Sequence, residues 1–384
     1  MPPSTSQLEE SGMEITIERS ELLRELSATQ GIVERKSTIP ILSSFLLQTA
    51  ENKVMITGTD LEFSLRTSCP AQVKTPGACT LPARKLYDYV RVLGDGELKI
   101  KLLQNHWVQI RSGRSNTKMV GMAFENFPAL PLFPSDSAIH LPAPVVRTMI
   151  SKTIFAISQE ETRYTLSGAL MVLKPDGITM VSTDGHRMAH VETVNCRVSV
   201  AEEIKVLIPK KAMAAISSQL SSPEIETFDF AKDESTLFFR IGSRLLTARQ
   251  VTGQFPNYQA VLPRSLDKNV VVRADEFNRA ILRVSQFSDE RSNAIRLKME
   301  GNQIRIFSSS SETGESEDTV ETSYGGEALS VAFNSRYLLD FLKVAGQGDV
   351  TFDFKAADQP GELRPDDSTD TDCRYRYIVM PLRV

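Results

Sequence analysis

Hydrophobic residues along this 384-residue chain recur with two periods. Alternating stretches such as Leu98-Lys99-Ile100-Lys101-Leu102 read as strands with one buried face. Stretches with apolar residues at helical spacing, such as Phe277, Ile281, Leu282 and Val284, read as amphipathic helices. The two kinds follow a fixed order: strand, helix, several strands, helix, several strands. That order occurs three times, with a period of about 125 residues.

Five landmarks mark the copies. Each opens with a strand leading into a helix: Ile15-Thr16-Ile17 then 20–28, Ile139-His140-Leu141 then 144–157, and 270–272 then 275–287. Asp275 is the expected N-cap of the last, and Pro144 suits a first helical turn. Next come paired strands, at 45–48 and 54–58, at 169–173 and 178–182 across Lys174-Pro175-Asp176-Gly177, and at 295–299 and 303–307 across Glu300-Gly301-Asn302. A second helix (86–93, 213–220, 337–344) begins each time beside a basic residue, in Pro82-Ala83-Arg84-Lys85, Pro209-Lys210-Lys211 and Asn334-Ser335-Arg336. The strand after it is identical at four positions in copies two and three, Thr227-Phe228-Asp229-Phe230 and Thr351-Phe352-Asp353-Phe354. Copies one and two close on Asn126-Phe127-Pro128 and Gln254-Phe255-Pro256.

Two helices on one face of an antiparallel sheet make an α+β layer. The expected domains are residues 13–135, 136–263 and 264–384, after a polar, disordered extension at 1–12. The segment 359–372, rich in Pro, Asp and Thr, reads as a flexible loop.

Composition narrows the function. No apolar run reaches the length of a membrane span, and the first residues do not read as a secretory signal. The four cysteines, Cys69, Cys79, Cys196 and Cys373, form no CxxC pair, so neither a zinc site nor a disulfide framework is expected, and a reducing cytoplasm is the simple location. Net charge is −4, which taken alone argues against a nucleic-acid binder.

The positions of the charges change that picture. The second helices carry Arg84, Lys85 and Arg91, then Lys210 and Lys211, then Arg336 and Lys343. The first helices add Arg147, Lys152, Arg279 and Arg283. For any one of these a solvated helix face is the favoured reading. Recurrence at one place in every copy favours a shared basic surface. With helices turned inward, six units from a dimer would line a channel with positive charge, suited to phosphates of any sequence, beneath a negative exterior. Ring closure needs complementary ends. Copy one has the basic stretch Arg111-Ser112-Gly113-Arg114-Ser115 with Lys118. Copy three has Glu312, Glu315, Glu317, Asp318 and Glu321, which charge alone reads equally well as a solvated loop.

Thr183-Asp184-Gly185-His186-Arg187 invites an enzymatic reading. His186 and His190 are four apart, a zinc spacing on a helix, but the segment follows a strand and Asp184-Gly185 reads as a turn. Thr59-Asp60-Leu61-Glu62 stands at the same place in copy one, which makes Thr-Asp an element of the fold. There is no Gly-x-Ser-x-Gly elbow and no Walker A loop. The rival is an undetected hydrolase, or a nuclease using carboxylates such as Asp60 and Asp184. No cofactor is expected.

Ile39-Pro40-Ile41-Leu42, Gly58-Thr59-Asp60-Leu61-Glu62, the Thr183–Arg187 stretch and Val379-Met380-Pro381-Leu382-Arg383 together carry a resemblance to the bacterial sliding-clamp family, the beta subunits of the replicative DNA polymerase III holoenzyme, from Met13 to Val384. Arg111–Ser115 and Pro82–Lys85 add to it. The resemblance implies a non-catalytic processivity factor: a head-to-tail dimer of six domains around duplex DNA. It also implies a hydrophobic pocket between the second and third domains, where polymerases, the clamp loader and other proteins dock short peptides. The implied pocket residues are Leu166, Thr183, Gly185, His186, Arg187, Met188, Pro256, Val261, Asn334, Tyr337, Ile378, Met380, Pro381, Leu382 and Arg383. Met and Leu would form its floor, with Arg and Thr as polar anchors at the rim. Lys36, Arg84, Lys85, Gln159, Tyr164, Lys210, Lys211 and Arg336 are the expected DNA-facing set. Leu382, Ala260 and Thr165 depart from residues common in the family, and so bear on peptide preference and on base stacking.

Overall fold

The computed structural model describes residues 12–33, 38–160, 162–263, 265–312, 314–365 and 372–383. Six helices lie at the expected places: α1 (Arg19–Gln30), α2 (Ala83–Val92), α3 (Ala143–Thr153), α4 (Lys210–Gln219), α5 (Ala274–Ser285) and α6 (Ser335–Ala345). Their buried residues fall on single faces, Leu22, Leu26 and Thr29 in α1 and Phe277, Ala280, Ile281 and Val284 in α5. Two local expectations need correction. The N-cap of α5 is Arg273, and Asp275 lies in the first turn, where its carboxylate faces Arg273 and Arg279. The helix from Pro144 ends at Thr153 and tightens into a 3₁₀ turn at Ile154–Ala156.

The chain divides into two compact units, Met1–Leu141 with Ser218–Arg249, and Pro142–Ser217 with Gln250–Val384. The middle repeat is thus split between them. The reason is that sheets run across repeat junctions. In the first unit, Arg244–Arg249, the last strand of copy two, pairs antiparallel with Phe63–Pro70 of copy one, with Leu245 opposite Arg66 and Ala248 opposite Phe63. This joins strands of both copies into one eight-stranded sheet. In the second unit, Cys373–Val379, the last strand of copy three, pairs with Arg187–Thr193 of copy two in the same way and closes a second eight-stranded sheet.

Two strands of the corresponding kinds remain at sheet edges. Ser115–Val120, the last strand of copy one, ends a five-stranded sheet. Gly314–Glu321, the copy-three counterpart of Phe63–Pro70 and Arg187–Thr193, ends a four-stranded sheet.

The expected loop at 359–372 is partly regular: Gly361–Pro365 is a strand pairing with both Asp349–Phe354 and Cys373–Val379, and 366–371 lies outside the described residues. The Phe-Pro landmarks have a packing role. Phe127 lies in a small apolar cluster with Ile41, Leu42, Leu46 and Ala78, and Phe255 in one with Leu166, Leu170, Leu207 and Ile378. All four cysteines are free thiols, and burial pushes Cys69 and Cys79 up to about 12, which leaves them unreactive.

Candidate peptide pocket and charged surfaces

Thr59-Asp60 and Thr183-Asp184 build one turn twice. The Thr183 hydroxyl donates to Arg187 O (2.6 Å) and accepts from Gly185 N–H (3.0 Å), while Asp184 Oδ1 accepts from the amides of His186 (2.9 Å) and Arg187 (3.1 Å). The Thr59 hydroxyl likewise donates to Phe63 O and accepts from Leu61 N–H, and Asp60 Oδ1 accepts from the amides of Glu62 and Phe63. Both turns need a positive φ at their third residue, +78° at Leu61 and +91° at Gly185. Glycine adopts this freely and leucine at a cost. The two carboxylates are therefore turn caps. His186 is exposed, His190 is buried four residues further on within Arg187–Thr193, and no group of three metal-ligating side chains exists among the described residues.

Beyond the turn, Arg187 ties copy two to copy three. Its guanidinium meets Asp184 Oδ2 at 3.0 Å, Asp340 Oδ2 of α6 at 2.6 Å and Phe155 O at 2.8 Å, and lies over the Tyr337 ring at 4.4 Å. The Tyr377 hydroxyl donates to Tyr337 O at 2.9 Å, closing the network from the last strand. Burial pushes that hydroxyl well above the usual tyrosine range, the nearby Arg187 opposing. The side chain of Arg187 is only 10% exposed. The polar atoms of Arg187 and Thr183, expected as rim anchors, are committed within the protein. Asn334 is similarly engaged, its side chain accepting from Arg336 N–H as the N-cap of α6.

The apolar side of the expected pocket is assembled. Leu166, Met188 and Ile378 belong to one buried cluster, completed by Phe255 and flanked by Tyr258 and Leu262. Two backbone bonds hold the stretch after the last strand. Met380 N–H donates to His186 O at 2.9 Å, and Leu382 N–H to Ala332 O at 2.8 Å. Pro256, Val261, Met380 and Arg383 are exposed, and Pro381 and Leu382 half-buried. Two of the departures from the family pattern, Ala260 and Leu382, thus lie on accessible surface. Asp340, Phe155 and Tyr377 were not found from sequence, because no local spacing links Arg187 to a later helix, a 3₁₀ turn and the last strand.

Of the expected DNA-facing residues, Arg84 and Lys85 are exposed in the first turn of α2, Lys211 and Arg336 are exposed at the starts of α4 and α6, and Lys210 is half-buried. The first turns of these helices hold no acidic residue of their own, and Arg84 pairs with Asp88 one turn further on at 3.7 Å. A cation at a helix N-terminus opposes the helix dipole, costing about 0.3–1 kcal/mol, so local stability does not account for the pattern. Gln159 and Tyr164 are exposed, and Lys36 lies outside the described residues. The first-helix basic residues contribute less than expected: Lys152 is buried over the Tyr375 ring, Arg279 faces Asp275, and Arg283 binds Asp318.

Arg111, Arg114 and Lys118 are exposed on the hairpin that ends the five-stranded sheet. Glu312, Glu315, Glu317 and Asp318 lie on or beside the edge strand of the four-stranded sheet, but Glu317 is held by Arg305 (2.7 Å) and Asp318 by Arg283. Part of the acidic charge is therefore neutralised within the chain.

A repeat-built scaffold with an apolar pocket, a series of basic helix starts and two oppositely charged edge strands defines a non-catalytic binding protein. Three family models match in order: the N-terminal domain of the DNA polymerase III beta subunit at residues 13–131, its central domain at 140–257 and its C-terminal domain at 259–383. The beta sliding clamp of Caulobacter vibrioides is 34% identical over 379 residues, covering 97% of this chain and all of that relative. Crystal structures of the DnaN sliding clamps of Pseudomonas aeruginosa and Bartonella birtlesii, each bound to griselimycin, match with TM-scores of 0.90 and 0.91 at 30% and 32% identity, over 97% of this chain and all of theirs. The chain belongs to the DNA polymerase III beta subunit family, the beta sliding clamps.

Proposed function

We propose that two copies of this chain close head to tail into a six-domain ring around duplex DNA and act as the processivity factor of the replicative polymerase. One observation carries this reading. The last strand of a repeat joins the third strand after the first helix of the preceding repeat, once at Arg244–Arg249 with Phe63–Pro70 and once at Cys373–Val379 with Arg187–Thr193. A third joint of the same kind would use Ser115–Val120, the basic edge, and Gly314–Glu321, the acidic edge, which have no such partner among the described residues. Supplying each from a second copy gives two identical joints and a closed two-fold assembly. Arg111, Arg114 and Lys118 would face Glu312, Glu315 and, less strongly, Glu317 and Asp318. The domains in this reading are 13–135, 136–263 and 264–384.

The basic helix starts, Arg84, Lys85, Lys210, Lys211 and Arg336, with Gln159 and Tyr164, would line the channel and hold phosphates without regard to sequence. The pocket around Leu166, Met188, Ile378 and Met380 would take the docking peptides of polymerase, clamp loader and other partners. Cytoplasmic location follows from the same role; no helix among the described residues is long and apolar enough to cross a membrane.

The test is retention on DNA. Loaded onto closed circular duplex, the protein should remain bound and should leave when the circle is cut once. Equal retention on circular and linear DNA overturns the ring. Metal-dependent cleavage abolished by Asp184→Ala would favour the nuclease.

A further inference from the structure

The edge strand Ile204–Pro209 pairs on one side only, with Gly168–Lys174. The antiparallel ladder fixes which of its backbone groups face outward. Lys210 N–H donates inward to Ser167 O, and pairing alternates, so Ile208 and Val206 face the neighbouring strand while Leu207 and Lys205 turn their N–H and C=O away. The equivalent edge positions in the other repeats are Thr80 and Ala332, each two residues before the end of its strand. Both are covered by the chain's own following segment. Leu382 N–H donates to Ala332 O, and Met122 N–H donates to the Thr80 hydroxyl, with Gly121 so close that a Cβ there would lie 2.0 Å from Thr80 O.

In the middle repeat the corresponding segment stands off. No bridge forms outside Leu207 among the described residues, and a cavity of about 520 Å³ lies between that edge and the stretch from Gln250 to Gln259. The Gln250 side-chain oxygen, on the cavity wall, is buried without a hydrogen-bond partner. Pro256 lines the cavity and belongs to the expected peptide pocket, while Leu170, Leu207 and Phe255 belong to both cavity wall and pocket cluster. At the mouth, Lys174 and Lys205 share a single carboxylate, Glu203, leaving one positive charge in excess.

We propose that this edge is a second docking element of the peptide site: a partner peptide anchored in the apolar pocket continues as an extended strand against Leu207, with an acidic side chain reaching Lys174 or Lys205. The inference rests on the pocket reading above. Backbone pairing would supply affinity with little sequence demand, the mode of peptides that add a strand to an exposed edge.

Twenty-residue peptides tiling the catalytic subunit of the replicative polymerase from the same genome serve as probes, read by fluorescence anisotropy. The tightest is then shortened from each end. On the wild-type protein, trimming one flank should weaken binding about tenfold, one decade in Kd. Lys205→Pro removes an outward N–H on the same edge, spares the inward ladder and leaves the apolar cluster intact, so it should bind full and trimmed peptides equally, at the trimmed affinity. Met380→Ala should weaken both. Hydrogen exchange on the wild-type protein supplies a readout free of substitution: the 204–209 amides should gain protection with the full peptide and not with the trimmed one. A flank gain that survives Lys205→Pro, or unchanged exchange at 204–209, overturns the edge and leaves the pocket standing. No binding by any tile overturns both.

Discussion

Arg244 grips Glu25 with two hydrogen bonds, Nε to Oε2 at 2.9 Å and Nη2 to Oε1 at 3.0 Å, linking the last strand of copy two to the first helix of copy one. Glu25 is 2% exposed, and it also accepts from Arg24 and Thr67. Removing one partner of a buried pair strands the other charge, a cost of about 3–5 kcal/mol. With Arg24 remaining, Arg244→Ala should destabilise by about 3 kcal/mol, read as a lower denaturant midpoint. Glu25→Gln, which leaves no orphaned buried anion, should cost less.

The same carboxylate sets a pH dependence. Burial alone would raise the Glu25 pKa, but the hydrogen bonds from Arg244, Arg24 and Thr67 outweigh it and hold it below the ordinary 4.5. A depressed folded pKa contributes stability that is present above the unfolded value and lost as pH falls through the folded one. Thermal stability should therefore drop on acidification below about pH 4.5, and Glu25→Gln should flatten that limb while leaving the neutral-pH slope alone. An acid limb of unchanged steepness in Glu25→Gln would count against this assignment.

The fold was legible where the signal was periodic. Alternation at 98–102 and helical spacing at 277–284 gave elements of the right kind, and repetition gave their order. Two things were not legible. The pairing of Arg244–Arg249 with Phe63–Pro70 joins residues more than a hundred positions apart, and edge pairing leaves no mark on either strand's own pattern. The engagement of Arg187 was also hidden: sequence gave an arginine beside a turn, while Asp340 and Phe155, which occupy its guanidinium, come from a distant helix and a 3₁₀ turn. The likeness of Thr59-Asp60 to Thr183-Asp184 was readable because the bonds involved span no more than four residues.

Arg187→Lys should damage both stability and peptide binding. A lysine ammonium lacks the planar fork that reaches Asp184, Asp340 and Phe155 O while stacking on Tyr337. The expected loss is about 2 kcal/mol of stability, below the range for a fully buried pair because Asp340 is partly exposed. Peptide affinity should fall with it, since the Tyr337 ring loses its support. Asp184→Asn keeps the turn acceptor and should cost less. Calorimetry and anisotropy on the two variants decide the order.

Self-association should depend on charge in a graded way. Reversing Arg111, Arg114 and Lys118 to Glu should give monomers by sedimentation, with assembly recovered when mixed with a copy bearing Glu312→Lys and Glu315→Lys. Glu315→Lys should weaken the dimer more than Glu317→Lys, because Glu317 is already held by Arg305. High salt should weaken the wild-type dimer, as expected for exposed pairs. Equal effects at Glu315 and Glu317 would show that the cis pairing does not discount the acidic edge.

Binding to duplex DNA should report the helix starts without reporting sequence. Each phosphate neutralised by Lys or Arg contributes about 0.9 to the slope of log affinity against log salt. Lys210→Ala with Lys211→Ala should therefore lower that slope by about 1–2 on linear duplex, and adding Arg84→Ala, Lys85→Ala and Arg336→Ala should lower it further. The loss should be the same on duplexes of different sequence, because phosphate contacts carry no base information. Retention on closed circles should persist in the same variants, since enclosure does not depend on individual contacts. A slope that stays at its wild-type value when all five residues are neutral would remove the helix starts from the DNA-facing surface, whatever the assembly of the ring.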